Sequence, residues 1–393
     1  MNETPATEET NQRTDQVMNT PLIGICGGGI GGLAAAIALR KLGQRVVVFE
    51  QAPQFARVGA DINLTPNAVR ALDGLGVGDA LRETAARPAF RISRDGYTGE
   101  ETSRLAMSSA AEEKYGAPQL TMHRADLLTA LEQAVPADCI KLGKKAQRIE
   151  QADGKVVVHF TDGSSETVDA LVGADGIHSA VRTAMLGQEK PQFTGVVAYR
   201  AVVPAERLQG CEDLDCFTKW WGNQPEVQVV SFPLNQGKDI FIFATTPQPE
   251  WTLESWTAPG EVAELREIYA DFHEDARARL NACTEVLKSA LYIRDPLPRW
   301  YEGNLVLLGD AAHPMMPFMA QGAGQAVEDA VVLARCIAEP GFGSLQQAWA
   351  AYQDARLERT SRIQIASRGN TWLKEGGNAD WVYDYNAWTA PIK

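Results

Sequence analysis

Asp310 is the residue best placed to do chemistry. It stands in Gly309-Asp310-Ala311-Ala312-His313-Pro314, after the apolar run Leu305-Val306-Leu307-Leu308 and before Gln321-Gly322-Ala323-Gly324-Gln325. An acid at a strand end can accept hydrogen bonds from ligand hydroxyls. The bare amides of Gly322, Ala323 and Gly324, at the start of a helix patterned by Val327, Val331, Ala334 and Ile337, can hold an oxyanion. A second phosphate-type cradle lies nearly 280 residues earlier. There Gly27, Gly29 and Gly32 satisfy G-x-G-x-x-G between the strand Leu22 to Cys26 and a helix over Leu33 to Leu42, and the next strand ends at Glu50. Glycines at those places allow a tight turn, close approach of a pyrophosphate and helix–strand packing, while the acid suits ribose hydroxyls. An acid at position 50 disfavours a 2′-phosphate.

These groups need a scaffold that brings distant segments together. A chain of 393 residues can bury a large core in one or two domains. Its net charge of −13 argues against nucleic acid or an anionic membrane as partner, and no run of 18 apolar residues predicts a span. Residues 1–20 are polar and acidic and read as a disordered tail, not a signal or transit peptide. Six scattered cysteines read as thiols of a reducing compartment, so a cytoplasmic location is expected. Cys211 and Cys216 have redox-pair spacing but lie far from the fingerprint, and no second G-x-G-x-x-G exists, which disfavours a disulfide reductase. The absence of a W-x-W-x-I-P segment disfavours a halogenase. His313, His123 and His159 lack partners at ligand spacing, so no metal site is expected and His313 reads as fixing its loop.

Between 191 and 290 the texture changes to short β-rich runs, Val196 to Val203, Cys216 to Trp221, Val227 to Phe232 and Asp239 to Ala244, which predict an antiparallel sheet. Arg200 stands out there. Val196, Ala198 and Val202 share its face, and Val197, Tyr199, Ala201 and Val203 form an apolar opposite face. A guanidinium in such a strand needs an anionic or aromatic partner: a ligand carboxylate, a cofactor ring or an internal ion pair. Lys219, between Phe217 and Trp221, is a weaker candidate of the same kind.

The fingerprint at 27–32, the turn Gly173-Ala174-Asp175-Gly176 and the Gly309-Asp310 segment together resemble the three signatures of the single-component FAD-dependent aromatic hydroxylases, which have the para-hydroxybenzoate hydroxylase fold. His123-Arg124-Ala125-Asp126-Leu127 is similar to a fourth. The match runs from about residue 20 to the C-terminus. Gly309 to Gly324 looks like the salicylate hydroxylases, while Asn370 to Leu373 with Trp381 to Tyr383 looks like the 6-hydroxynicotinate 3-monooxygenases.

The resemblance implies an α/β protein: an FAD-binding, Rossmann-like domain (21–90, 120–190 and 291–342), an inserted β-sheet substrate domain (91–119 and 191–290), and a C-terminal helix with an aromatic tail (343–393). It implies that Gly27, Gly29 and Gly32 meet the FAD pyrophosphate, Glu50 the adenosine ribose, Arg124 the pyrophosphate or ribityl chain, and Asp310 the ribityl hydroxyls. Gly322, Ala323 and Gly324 would face the flavin pyrimidine edge. Asp175 would serve FAD and pyridine nucleotide, and Gln51 and Arg57 would be FAD neighbours. NADH or NADPH would reduce the flavin, which with dioxygen forms a C4a-hydroperoxide that hydroxylates a small aromatic or pyridine hydroxycarboxylate, with or without release of CO2. Arg200, Asn63 and Phe318 would act at the ring, in a pocket lined by Trp221, Val230, Met316 and Pro317.

The chain departs from the 6-hydroxynicotinate pattern at Asn63 and Phe318, where that group carries histidines, and around Val230 or Ser231, where it carries a tyrosine. Asn63 and Phe318 cannot take a proton at pH 7. Phe318 agrees with the salicylate hydroxylases, favouring a carboxylated phenol or a differently substituted pyridine. An epoxidase, a reductase or a flavin-binding sensor on the same fold remain alternatives. The tail aromatics Trp372, Trp381, Tyr383, Tyr385 and Trp388 suit either a homo-oligomer interface or packing on the chain's own core.

Overall fold

The computed structural model describes residues 20–55, 61–251, 258–374 and 377–392. The N-terminal stretch read as a disordered tail lies, apart from Thr20, outside the described residues, as does Arg57.

Two sheets carry the architecture. One has six strands in the order Tyr301–Glu302, Leu305–Leu307, Ala170–Gly173, Leu22–Cys26, Arg45–Phe49 and Ile140–Lys141. All pairs are parallel except the edge pair Tyr301–Glu302 with Leu305–Leu307. The strands are short runs of Val, Ile and Leu buried on both faces, as a parallel sheet under helices requires. The helix Ile30–Lys41 follows the first strand, with Gly29 as its N-cap, and the chain turns out of it at Gly43, where φ is +83°. It packs under the helix Gly322–Ala338, so the fingerprint and the Gly309 segment share one core. Both lie at the C-terminal ends of the parallel strands, where ligands bind in open α/β sheets.

The other sheet has eight strands: Pro259–Gly260, Val286–Ile293, Gln192–Pro204, Asp239–Pro247, Gln228–Leu234, Phe217–Trp221, Phe90–Asp95 and Glu101–Ala106. The four expected runs are all present, longer by a few residues at several ends. Both faces of Gln192–Pro204 are covered. Val197, Tyr199, Ala201 and Val203 pack with Leu265 and Tyr269. Val196 and Ala198 face Phe241, Phe243, Met316 and Phe318. The second face therefore meets the loop from the first sheet, and the cavity between them is the centre of interest.

The helix Leu345–Arg368 starts at Ser344, whose hydroxyl accepts from the Gln347 amide at 3.3 Å. The aromatic tail beyond it packs on its own chain: the Trp388 indole N–H donates to the Ala71 carbonyl (3.0 Å) beside Gly74. Trp372, Trp381 and Tyr383 stack edge to face. No helix among the described residues is long and apolar enough to cross a membrane.

Candidate active site

The three fingerprint glycines do different jobs. Gly27 has φ +101°, and a Cβ there would stand 2.4 Å from the Ala174 carbonyl oxygen; one at Gly32 would stand 1.9 Å from the Gly27 oxygen. These two let backbones touch. A Cβ at Gly29 would meet nothing within 4 Å, so Gly29 opens the helix N-terminus to a ligand. Glu50 sits at the end of the second strand, where Oε2 accepts from the Gly28 amide (2.6 Å) and Oε1 from the Ala52 amide (2.8 Å). Gln51 is exposed beside it. Asp175 receives the Ser179 hydroxyl and the amides of Ala180 (2.7 Å) and Val181 (3.3 Å). It therefore caps the helix Ala180–Leu186, a structural duty that sequence reading did not give it.

At the other end of the cradle, Gly309 takes φ +59°, and its amide donates to Asp329 Oδ2 at 3.0 Å. The same oxygen meets His313 Nε2, so the histidine fixes the loop, as expected, through an acid sixteen residues on. Asp329 in turn accepts from Arg356 Nε at 2.8 Å, and Arg356 also donates to Glu328 Oε2 and Gln325 Oε1, both at 2.7 Å. Asp310 is open to solvent but recessed among protein atoms. That setting pushes its carboxyl up, and His313 and Arg124 pull against it. Arg124 is itself held below the ordinary guanidinium value by burial and supported by Asp310, so two segments 186 positions apart share one wall. The helix starts at Gly322 with Gln321 as N-cap, leaving the first-turn amides of Gly322, Ala323 and Gly324 without intrahelical acceptors. Gly322 has space around it. Gly324 does not: its Cβ would lie 3.1 Å from the Ala68 Cβ, so this glycine serves helix packing.

FAD fits this cradle. Gly29 leaves room for a pyrophosphate, Asp310 is recessed and partnered only electrostatically, and the amides of two helix N-termini suit anionic groups.

Next to the flavin loop lies a cavity that, with its open mouth, encloses about 680 Å³ of space. Strand register builds its floor. Arg200 pairs with Phe243, Phe243 with Val230, Val230 with Lys219 and Lys219 with Ser93. Arg200 and Lys219 thus stand three strands apart, roughly 14 Å at ~4.8 Å per strand. Between them Phe217, Phe232, Phe241 and Phe243 form a continuous aromatic surface with neighbouring centroids 5.2, 5.0 and 6.4 Å apart.

At one end the Arg200 guanidinium lies 5.4 Å from the Phe243 centroid and donates to Ser289 Oγ. Burial lowers its pKa, and Asp61 counters this. Burial likewise pushes the Asp61 carboxyl up to about 6, with Arg200 and then His123 among the groups pulling it down. Asn63 Oδ1 accepts from Gln119 Nε2 at 2.6 Å. Pro317, Phe318, Met319 and Ala320 close the cavity from the loop. Val230, not Ser231, faces the cavity; Ser231 points to the opposite side and accepts from Arg279 Nε.

Two expected pocket residues stand one layer back. Trp221 does not line the cavity, because the Lys219 ammonium lies 3.5 Å from its ring centroid and covers it. Met316 lines a neighbouring cavity on the far side of Phe318. The residues missed are Asp61, Arg91, Gln119 and Gln228, together with the phenylalanine floor. Alternation in Phe90-Arg91-Ile92-Ser93 marks Arg91 as Lys219 was marked, but nothing local marks Asp61 or Gln119.

The chain is similar to known proteins over nearly its whole length. The family described as "FAD binding domain" matches residues 19–365. A 6-hydroxynicotinate 3-monooxygenase of Bordetella bronchiseptica is 38% identical over 95% of this chain and 97% of that protein. Among solved structures, a salicylate hydroxylase substrate complex superposes with a TM-score of 0.80 at 27% identity, covering 95% of this chain and 99% of that one. Klebsiella pneumoniae HpxO complexed with FAD and uric acid gives 0.79 at 26% identity, covering 92% and 90%. These likenesses agree with the glycine cradle, the recessed Asp310 and the aromatic-floored cavity beside it: the chain belongs to the single-component FAD-dependent aromatic hydroxylases.

Proposed function

We propose that the protein hydroxylates a small, flat aromatic or pyridine ring carrying a hydroxyl and a carboxylate, using NADH or NADPH and dioxygen. The observation that carries this reading is the phenylalanine floor facing the flavin loop, with cations at both ends. A planar ring stacks on such a surface, and its polar substituents reach the ends. When bound, FAD accepts hydride from the pyridine nucleotide and activates dioxygen; the chain's own residues bind, orient and exclude water. Glu50, Arg124 and Asp310 would hold the cofactor, and Arg200, steadied by Asp61, would face the ring hydroxyl or the flavin edge. The Asn63–Gln119 amide pair offers neutral hydrogen bonds, and Phe318 seals the ring against water.

No histidine lines the cavity, so a hydroxypyridine that needs an imidazole for activation is a poor candidate. The six cysteines are unpaired thiols, which supports a reducing, cytoplasmic setting. The intrachain packing of the tail aromatics favours core packing over an interface for those residues.

A screen of hydroxybenzoates and hydroxypyridine carboxylates, following NADH and NADPH oxidation together with product mass, tests the reading. A ring product heavier by one oxygen, formed in step with nucleotide oxidation, supports it. Nucleotide oxidation yielding only hydrogen peroxide with every compound contradicts it.

A further inference from the structure

The cavity floor ends, away from Arg200, in two buried basic side chains that no acid among the described residues pairs with. Arg91, on Phe90–Asp95, and Lys219, on the adjoining Phe217–Trp221, are 8% and 3% exposed and both line the cavity. Their partners are neutral. Lys219 Nζ donates to Asn370 Oδ1 at 2.7 Å and lies over the Trp221 ring. Arg91 Nη2 donates to the Trp372 carbonyl at 2.9 Å, its guanidinium stands 5.1 Å from the Phe217 centroid, and its Nε is buried with no partner. Burial first, then Arg91 and Lys374, push the Lys219 ammonium well below the ordinary lysine range, and burial lowers Arg91 with Tyr383 countering; none of these neighbours is a carboxylate, so an arriving anion is what would favour the charged form of Lys219. The acid lining the cavity, Asp61, belongs to the Arg200 end. Burying unpaired cations is costly, and placing two side by side costs more.

We propose that Lys219 and Arg91 form a subsite for the carboxylate of the ring substrate, and that this end, not Arg200, distinguishes an aromatic acid from its neutral analogue. The proposal rests on the hydroxy-acid reading of the function. It gives the C-terminal tail a role at the site: Asn370 and the Trp372 carbonyl hold the two basic groups in position, so the tail sets the geometry of an anion site on strands 151 and 281 residues upstream.

The test uses the FAD-loaded wild type and the variants Lys219→Met, Lys219→Arg, Arg91→Met and Arg200→Met. Matched pairs of hydroxybenzoates and hydroxybenzamides serve as probes. Binding is read from the perturbation of flavin absorbance and from the shift in melting temperature. The wild type is expected to bind the acid about 10- to 100-fold more tightly than the amide. Lys219→Met removes most of that ratio by weakening the acid alone, Arg91→Met removes part, and Lys219→Arg retains part. An unchanged flavin spectrum with a melting temperature at or above that of the wild type confirms that Lys219→Met is folded; where it is not, Arg91→Met carries the same comparison. Equal binding of acid and amide by the wild type overturns the proposal. So does a ratio that survives Lys219→Met and disappears in Arg200→Met. A wild type that shows the ratio yet inserts oxygen into no ring refutes the hydroxylase substrate reading and leaves the anion subsite standing.

Discussion

Replacing Arg356 with methionine tests whether the flavin loop is held from behind. Arg356 is fully buried and donates to Asp329, Glu328 and Gln325, and both acids are themselves fully buried. Methionine fills much of the space but takes one cation from two buried carboxylates; Arg359 remains on Glu328 and His313 on Asp329. Breaking a buried ion pair from one side costs about 3–5 kcal/mol. For 393 residues the unfolding entropy is about 0.8 kcal/mol/K. The melting temperature of the FAD-loaded protein should therefore fall by about 4–6 °C. Asp329 also holds the Gly309 amide and His313, so the loop presenting Asp310 should loosen and FAD should bind several-fold more weakly in a fluorescence titration. Adding Glu328→Gln and Asp329→Asn to the same chain should recover part of the melting loss, the share due to the acids' missing cation, while Arg359 and His313 lose their own counter-charge. A melting temperature within a degree of wild type, with unchanged FAD affinity, refutes the reasoning.

Asp310→Ala should weaken FAD binding by about 10- to 100-fold, the scale of a hydrogen bond to a charged group, with the apoprotein melting unchanged. Gly29→Ala should fold normally and bind FAD poorly, whereas Gly32→Ala, whose methyl would meet the Gly27 oxygen at 1.9 Å, should yield little folded protein; parallel melting curves and flavin content separate the two. Asp61 has its carboxyl raised to about 6, so it gains a proton as pH falls through that value, and Arg200 then loses its counter-charge. The pH profile of kcat/KM should fall below about pH 6 in the wild type and lose that limb in Asp61→Asn; an unchanged limb would mean another group titrates.

The cofactor half of the site was legible because its parts are local. A strand, three glycines, a helix and an acid fall within thirty residues, and Gly309-Asp310 repeats that logic at another strand end. Register and face along Gln192–Pro204 were legible from alternation, which placed Arg200 between two apolar layers. What sequence left open was assembly across the chain. Asp61 meets Arg200, Gln119 meets Asn63, and Asn370 meets Lys219 only because segments far apart in the chain converge. Asp175 shows a second duty that sequence did not reveal: the motif acid also accepts hydrogen bonds from the start of a helix. Trp221 and Met316 were of the right type for an aromatic pocket, but Lys219 and Phe318 stand in front of them.

The proposed reaction inserts one oxygen atom from dioxygen into an aromatic hydroxy acid at an FAD site. It is tested most directly by turnover with NADH or NADPH under isotopically labelled dioxygen, with mass analysis of the ring product. One labelled oxygen is expected in the product for each nucleotide oxidised. A product that carries oxygen from water, or labelled hydrogen peroxide with an unchanged ring, would contradict it.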